Sequence, residues 1–251
     1  MDLAKIAELL EPFLAHNPIA SAQGPESAAA SSSVSVQKSA GISKSLLEYI
    51  SIYIDLLLRW NLRVNLTSIR QPEEIVTRHF GESLFAAWHL FPTSIQGRSH
   101  DSAVSTSRPV VIDVGSGAGF PGVPIKLWAP PIHLTLIEAN HKKATFLREV
   151  VRALSLSDVT IFAGRSEAFP KNGPGADVVT LRAIEHLNST LPAVADLVAP
   201  GGRLAILVGE SQIPSIERHL GGFDWDEPSH LPLSSSRTMI IGRKESRSIT
   251  E

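Results

Sequence analysis

The 251-residue chain contains no cysteine. A disulfide framework and zinc–thiolate sites are therefore excluded, and a reducing, cytoplasmic compartment is expected. It also lacks an apolar run of about 18 residues, the length a membrane-spanning helix needs. The opening "MDLAKIAELLEPFLAHN" has no basic region followed by an apolar run and a small-residue cleavage site, so no secretory signal is expected. Net charge is small, −2, which excludes an overall cationic nucleic-acid coat. Any polyanionic partner must be met by a local basic face. No metal-ligating constellation stands out, and none is expected. What is present is an ordinary globular composition, 43% hydrophobic and 19% charged.

Three regions follow from the pattern along the chain. Residues 1–42 combine an amphipathic helix with a flexible Ser/Ala-rich linker. Leu3, Ile6, Leu9, Leu10, Phe13 and Leu14 share one helical face, and Pro18 is expected to end that helix. "PIASAQGPESAAASSSVSVQKSAG" is low in complexity and expected to be mobile and removable. Residues 43–108 read as a helical extension and a polar loop. A helix over 43–60 carries the stripe Leu46, Leu47, Ile50, Ile54, Leu57 and Leu58; Pro72 opens another over 73–90. Residues 109–245 alternate short apolar runs with helical patterns. "VVIDV", "HLTLIE", "VTIFAG", "ADVVTLRA", "RLAILVG" and "TMIIGRK" read as strands. This alternation predicts an α/β domain with a doubly wound, mostly parallel sheet.

The first strand runs into "GSGAGFPG". A turn at the carboxyl edge of a parallel sheet is where such folds bind ligands, and glycine admits close backbone approach. The spacing Gly115, Gly117, Gly119 places Phe120 where a dinucleotide fingerprint has its last glycine, and no Gly-Lys-Ser/Thr ends the turn. Asp113 at the strand tip suits a ligand bearing an ammonium group better than a pyrophosphate. Glu138, ending the second strand, is placed to accept from two ribose hydroxyls, with adenine near residues 164–167. Together these describe an S-adenosylmethionine site, with a tight turn of no further purpose as the bland alternative.

At this point a family resemblance becomes visible. "DVGSGAGFPGVPIKL", "RWNLRVNLTSIRQPEEIVTRHFGESL", "DVVTLRAIEHLNSTL" and "RTMIIGRK" resemble blocks of the bacterial small-subunit ribosomal RNA guanine-N7 methyltransferases, also called glucose-inhibited division protein B. The likeness covers about residues 43–244. It implies a Rossmann-like class I S-adenosylmethionine-dependent methyltransferase fold with an N-terminal helical extension. It implies cofactor contacts at Gly115, Phe120, Ser166, Glu167 and Arg182, with Glu138 at the ribose, and 16S rRNA within a small-subunit particle as partner. Glu82, Leu181 and Val208 depart from the family's usual Asp, Ser and Lys.

Guanine N7 carries an in-plane lone pair and no proton to lose, so no general base is required; alignment is the main task. Arg182 is the candidate catalytic residue. It could hold the methionine carboxylate or orient the guanine. Arg63, Arg70, Arg78 and His79 are the candidate RNA contacts, His79 alternatively forming a cap over the site. Asn65-Leu66-Thr67 reads slightly better as a turn. Phe120 stacks on a ligand or fills the core. Lys142, Lys143, Arg148 and Arg152 form a second basic cluster. Two rivals remain: a Rossmann oxidoreductase, which nicotinamide binding would reveal, and a non-catalytic RNA-binding module, which methyl transfer would exclude.

Overall fold

The computed structural model describes residues 1–15, 42–92, 108–171, 173–183 and 187–246. The proposed linker and most of the 92–108 loop lie outside the described residues.

An eight-stranded sheet has the order β3-β2-β1-β4-β5-β8-β6, with β7 paired to β8. Its strands are β1 (Val110–Val114), β2 (His133–Ile137), β3 (Val159–Phe162), β4 (Ala176–Arg182), β5 (Val198–Gly209), β6 (Phe223–Trp225), β7 (Ser229–His230) and β8 (Arg237–Lys244). Strands β1 to β5 are parallel neighbours, and β8 runs antiparallel to β5. The order reverses between β1 and β4, so a crevice opens there at the carboxyl ends.

Strand alternation sorts the core. Val111, Leu134, Leu136, Val178 and Ala205 face the helices α2 (Lys44–Asn61), α5 (Gly122–Trp128) and α6 (His141–Ala153). Ile112, Val114, Val179, Leu204 and Ile206 face α7 (Leu187–Ala195) and α8 (Ile213–His219). Covering both faces is why these strands read as continuous apolar runs. Caps set the helix starts. The Ser43 hydroxyl accepts from Leu46 N–H at 3.2 Å, and the Asn140 side chain accepts from Lys142 and Lys143 N–H at 2.9 and 3.2 Å.

The N-terminal helices form a cap over the crevice. Helix α1 (Leu3–Leu14) buries Ile6, Leu10 and Phe13, and it ends before Pro18, which is outside the described residues. The expected helix over 73–90 is continuous but not uniformly α. A short α3 (Pro72–Glu74) passes into a π-helix (Ile75–Gly81) and then α4 (Glu82–Leu90). The extra residue in a π turn re-aims the side chains that follow it, and such segments occur often at functional sites. Phe13 packs so closely on Gly81 that a Cβ there would lie 2.5 Å from the ring. Elements α8, β6 and β7 are additions to the sequence reading.

Candidate active site

The crevice holds a cavity of about 890 Å³. Its floor is the glycine turn, one wall is the end of β2 and the segment after β3, and its roof is the cap.

Gly115 and Gly117 adopt φ of +67° and +57°. A Cβ on Gly117 would meet nothing nearer than the Gly115 carbonyl oxygen at 3.8 Å, so the space beyond it is open to the cavity. Glu138 holds the turn from the opposite wall. One carboxylate oxygen accepts from Gly117 N–H and the other from Asn140 N–H, each at 2.7 Å. Two backbone donors fix the carboxylate, each oxygen keeps a second acceptor site, and Glu138 lines the cavity. Phe120, Ser166, Glu167 and Arg182 also line it, with Ser189 and Thr190 of α7. A nucleoside with a charged tail therefore fits the residues present: an open glycine floor, a fixed carboxylate for a ribose diol and hydroxyls beyond it.

Two expected contacts are corrected. Asp113 is fully buried beneath the turn rather than at the cavity. Its carboxylate accepts from Thr180 Oγ1 at 2.7 Å and Gly122 N–H at 3.3 Å. Strand alternation puts it on the Val111 side, under α5, where no ligand ammonium reaches it. Burial pushes its carboxyl up to about 6, against the Thr180, Ser116 and Gly122 hydrogen bonds and the Arg182 charge. Gly119 likewise faces the core. A Cβ there would collide with the Tyr53 hydroxyl and lie 3.0 Å from Val123 and 3.1 Å from Leu147.

The cap reaches the turn through Tyr53 of α2, whose hydroxyl donates to the Ala118 carbonyl at 2.5 Å. Its ring stacks on Phe120 at 5.3 Å, and Phe120 stacks on His79 at 4.7 Å. Phe120 thus both fills the interior and reaches the cavity. Tyr53 was not named in the apolar stripe, but it falls three residues after Ile50 and four before Leu57, and a buried tyrosine needs a partner for its hydroxyl; that spacing was the available signal.

His79 is locked. Arg182 Nη2 lies 3.3 Å from its Nδ1, and Thr67 Oγ1 lies 2.8 Å from its Nε2. A guanidinium only donates, so Nδ1 accepts and the proton sits on Nε2. Burial, then the charges of Arg182, Arg78 and Arg237, lower its pKa to about 3. Both ring nitrogens are occupied, which favours the alternative of His79 as a cap over the site, although its ring still lines the cavity. Because the folded value is depressed, this histidine stabilises the fold fully above about 6.5, and that contribution is lost as pH falls toward 3. Asp113, raised in the fold, contributes with the opposite sign: stability is lost as pH rises from about 4 to 6. Nitrogen NMR of the His79 ring is expected to show the neutral Nε2–H tautomer down to about pH 5. A midpoint near the ordinary value would contradict this assignment.

Arg182 is equally occupied. It donates to the Arg78 carbonyl at 2.6 Å and the His79 carbonyl at 3.4 Å, and pairs with Glu82 at 3.1 Å. Burial, then Arg78, brings its pKa down to about 10, so it remains charged. Glu82 is 2% exposed and also pairs with Arg78 and Arg237. Arg237 entered the sequence reading only as part of a terminal strand, because a pairing across 155 residues leaves no local trace.

The remaining RNA candidates separate. Arg78 and His79 line the cavity, as does Lys143. Arg63 is exposed elsewhere on the cap, and Arg70 lies in a shallow groove with Leu58, Arg59, Asn61 and Leu62. The turn reading of Asn65-Leu66-Thr67 is half the story. Asn61 Oδ1 accepts from Leu66 and Thr67 N–H at 2.7 and 3.1 Å, closing the turn, while Thr67 enters the site.

The profile of the GidB family, rRNA small subunit methyltransferase G, matches residues 46–227. The chain belongs to that family. Ribosomal RNA small subunit methyltransferase G of Roseiflexus castenholzii is 37% identical over 207 residues, covering 78% of this chain and 82% of its own. The protein of that name from Xanthomonas euvesicatoria is 33% identical over 196 residues, covering 76% and 84%. Among solved structures, ribosomal protein L11 methylase from Lactobacillus delbrueckii superposes with a TM-score of 0.51 at 14% identity, covering 67% of this chain and 79% of that one. That likeness supports the class I methyltransferase fold. In the methyltransferase G family, then, the glycine turn and the helical cap meet at one cavity in this chain.

Proposed function

We propose that this chain methylates N7 of a guanine in 16S rRNA, presented by a folded small-subunit particle in the cytoplasm. Family membership makes it an rRNA methyltransferase that uses S-adenosylmethionine. The observation that carries the finer reading is the single cavity shared by Gly115, Gly117 and Glu138 on one side and Thr67, Arg78 and His79 on the other. A cofactor half and a substrate half open into the same space.

Bound there, S-adenosylmethionine supplies a methyl group on a sulfonium whose departure leaves a neutral thioether. Gly115, Gly117, Phe120, Glu138, Ser166 and Glu167 would hold it. Arg182 spends most of its donors on the cap, so we assign it a positioning role, fixing His79 and the π-helix over the cavity. No residue here needs to take a proton. Asp113 is sealed beneath the turn and His79 is locked neutral, which suits a nucleophile with none to lose. Arg78 and Lys143 offer positive charge for RNA phosphates at the mouth. A few such contacts give weak, salt-dependent binding, so choice of one guanine falls to RNA shape. Duplex RNA hides N7 in a deep, narrow groove; the target base must be unpaired or splayed out.

Methyl incorporation from labelled cofactor, measured at fixed ionic strength, tests this. The small-subunit particle is expected to be methylated efficiently and a short duplex poorly. Mapping should place the label in 7-methylguanine. A duplex methylated as fast as the particle, or label at another atom, contradicts the reading.

A further inference from the structure

The hydrogen bonds around Thr67 leave one donor unspent. With the proton on His79 Nε2, that N–H donates to Thr67 Oγ1 across 2.8 Å. Ile69 N–H donates to the same oxygen across 3.1 Å. A hydroxyl has two acceptor lone pairs and one hydrogen. Both lone pairs are thus filled, and no acceptor among the described residues takes the hydrogen. Thr67 lines the cavity together with Ser68, Ile69 and His79. A hydroxyl is ordinarily free to donate or accept. This one can only donate, because Arg182 dictates the tautomer of His79 and His79 dictates the role of Thr67.

We infer that the Thr67 hydroxyl selects guanine by donating a hydrogen bond to O6 of the target base. The inference rests on the guanine-N7 reading above. Guanine presents N7 and O6 as neighbouring acceptors on one edge, and adenine presents N7 beside an N6 amino donor. If N7 is the reacting atom, O6 is the acceptor left for the protein to read. A donor-only hydroxyl matches O6 and opposes an adenine amino group, which would meet it donor to donor. Methylation at N7 makes the ring cationic and O6 a poorer acceptor. The bond therefore strengthens substrate binding rather than the transition state, and its loss should appear in KM more than in kcat.

The test uses reconstituted particles whose target position carries guanine or 2-aminopurine, which keeps N7 and lacks O6. The parent enzyme is expected to prefer guanine, and Thr67→Val to raise KM for guanine about tenfold, the effect of one hydrogen bond. The 2-aminopurine particle should respond little to that substitution, and Thr67→Ser should restore the parent behaviour. Affinity for S-adenosylhomocysteine, read by calorimetry, should stay within about twofold. Equal losses on both particles would mean that Thr67 merely holds His79 in place, and would overturn the inference. A large loss of S-adenosylhomocysteine affinity with base preference intact would assign the hydroxyl to the cofactor and overturn it too. A parent protein that methylates neither particle overturns the methyltransferase reading and this inference with it, a result distinct from methylation without base preference.

Discussion

Glu82→Gln is expected to melt roughly 10 °C below the parent. The Glu82 carboxylate is almost wholly buried and pairs with Arg78, Arg182 and Arg237, which approach from the π-helix, β4 and β8. One negative charge cannot neutralise three, and it is the sole anion among those four groups. Burial, then Arg78, already lowers the Arg237 pKa to about 10, as it does for Arg182. Removing the carboxylate leaves the buried Arg182 guanidinium without its anion, an effect of about 3–5 kcal/mol, whereas solvent screens the more exposed Arg78 and Arg237. In a chain of this size each kcal/mol is worth about 2–4 °C. Glu82→Asp keeps the charge on a shorter stem and should cost less. Differential scanning calorimetry checks the ranking; a Glu82→Gln melt within a degree or two of the parent contradicts it.

Gly117→Val should lower affinity for S-adenosylhomocysteine by roughly 100-fold or more, about 2.7 kcal/mol, with the fold retained. Its φ of +57° is costly for a branched residue, by about 1–2 kcal/mol, and lowers the melt only modestly. The new side chain has nowhere to go but the cavity. Gly119→Ala provides the contrast. Its Cβ would enter the packed space between Tyr53, Val123 and Leu147, so stability should fall sharply. Calorimetric titration beside thermal melts separates the two. Equal cofactor affinity in Gly117→Val and parent would remove this glycine from the site.

Much of this was legible before any coordinates. The strands show why: "VVIDV" and "ADVVTLRA" are short apolar runs, and they form β1 and β4. The glycine turn was legible because positive φ leaves its mark as glycine. Asp113 was misread because a strand-tip acid can sit above or below the turn, and only the register of alternation with Val111 decides. The π-helix was not legible. Its residues keep a helical pattern, and one inserted residue alters direction without altering composition. Thr67 looked like turn chemistry because its partner, His79, comes from the next helix. The short strands β6 and β7 span only three and two residues, too few for an alternation to register.

The pairing of Glu82 with Arg237 also sets a schedule for synthesis. The two are separated by 155 residues. At about 5–20 residues per second, a ribosome needs some 8–30 seconds to travel from one codon to the other. Throughout that interval Glu82 has been made and Arg237 has not. Arg182 arrives earlier with β4, yet β8 must still insert beside β5 to bring Arg237 beneath the cap. Until then Glu82 lacks its partner from β8, so a contact in the part of the chain made first is completed by the strand made last.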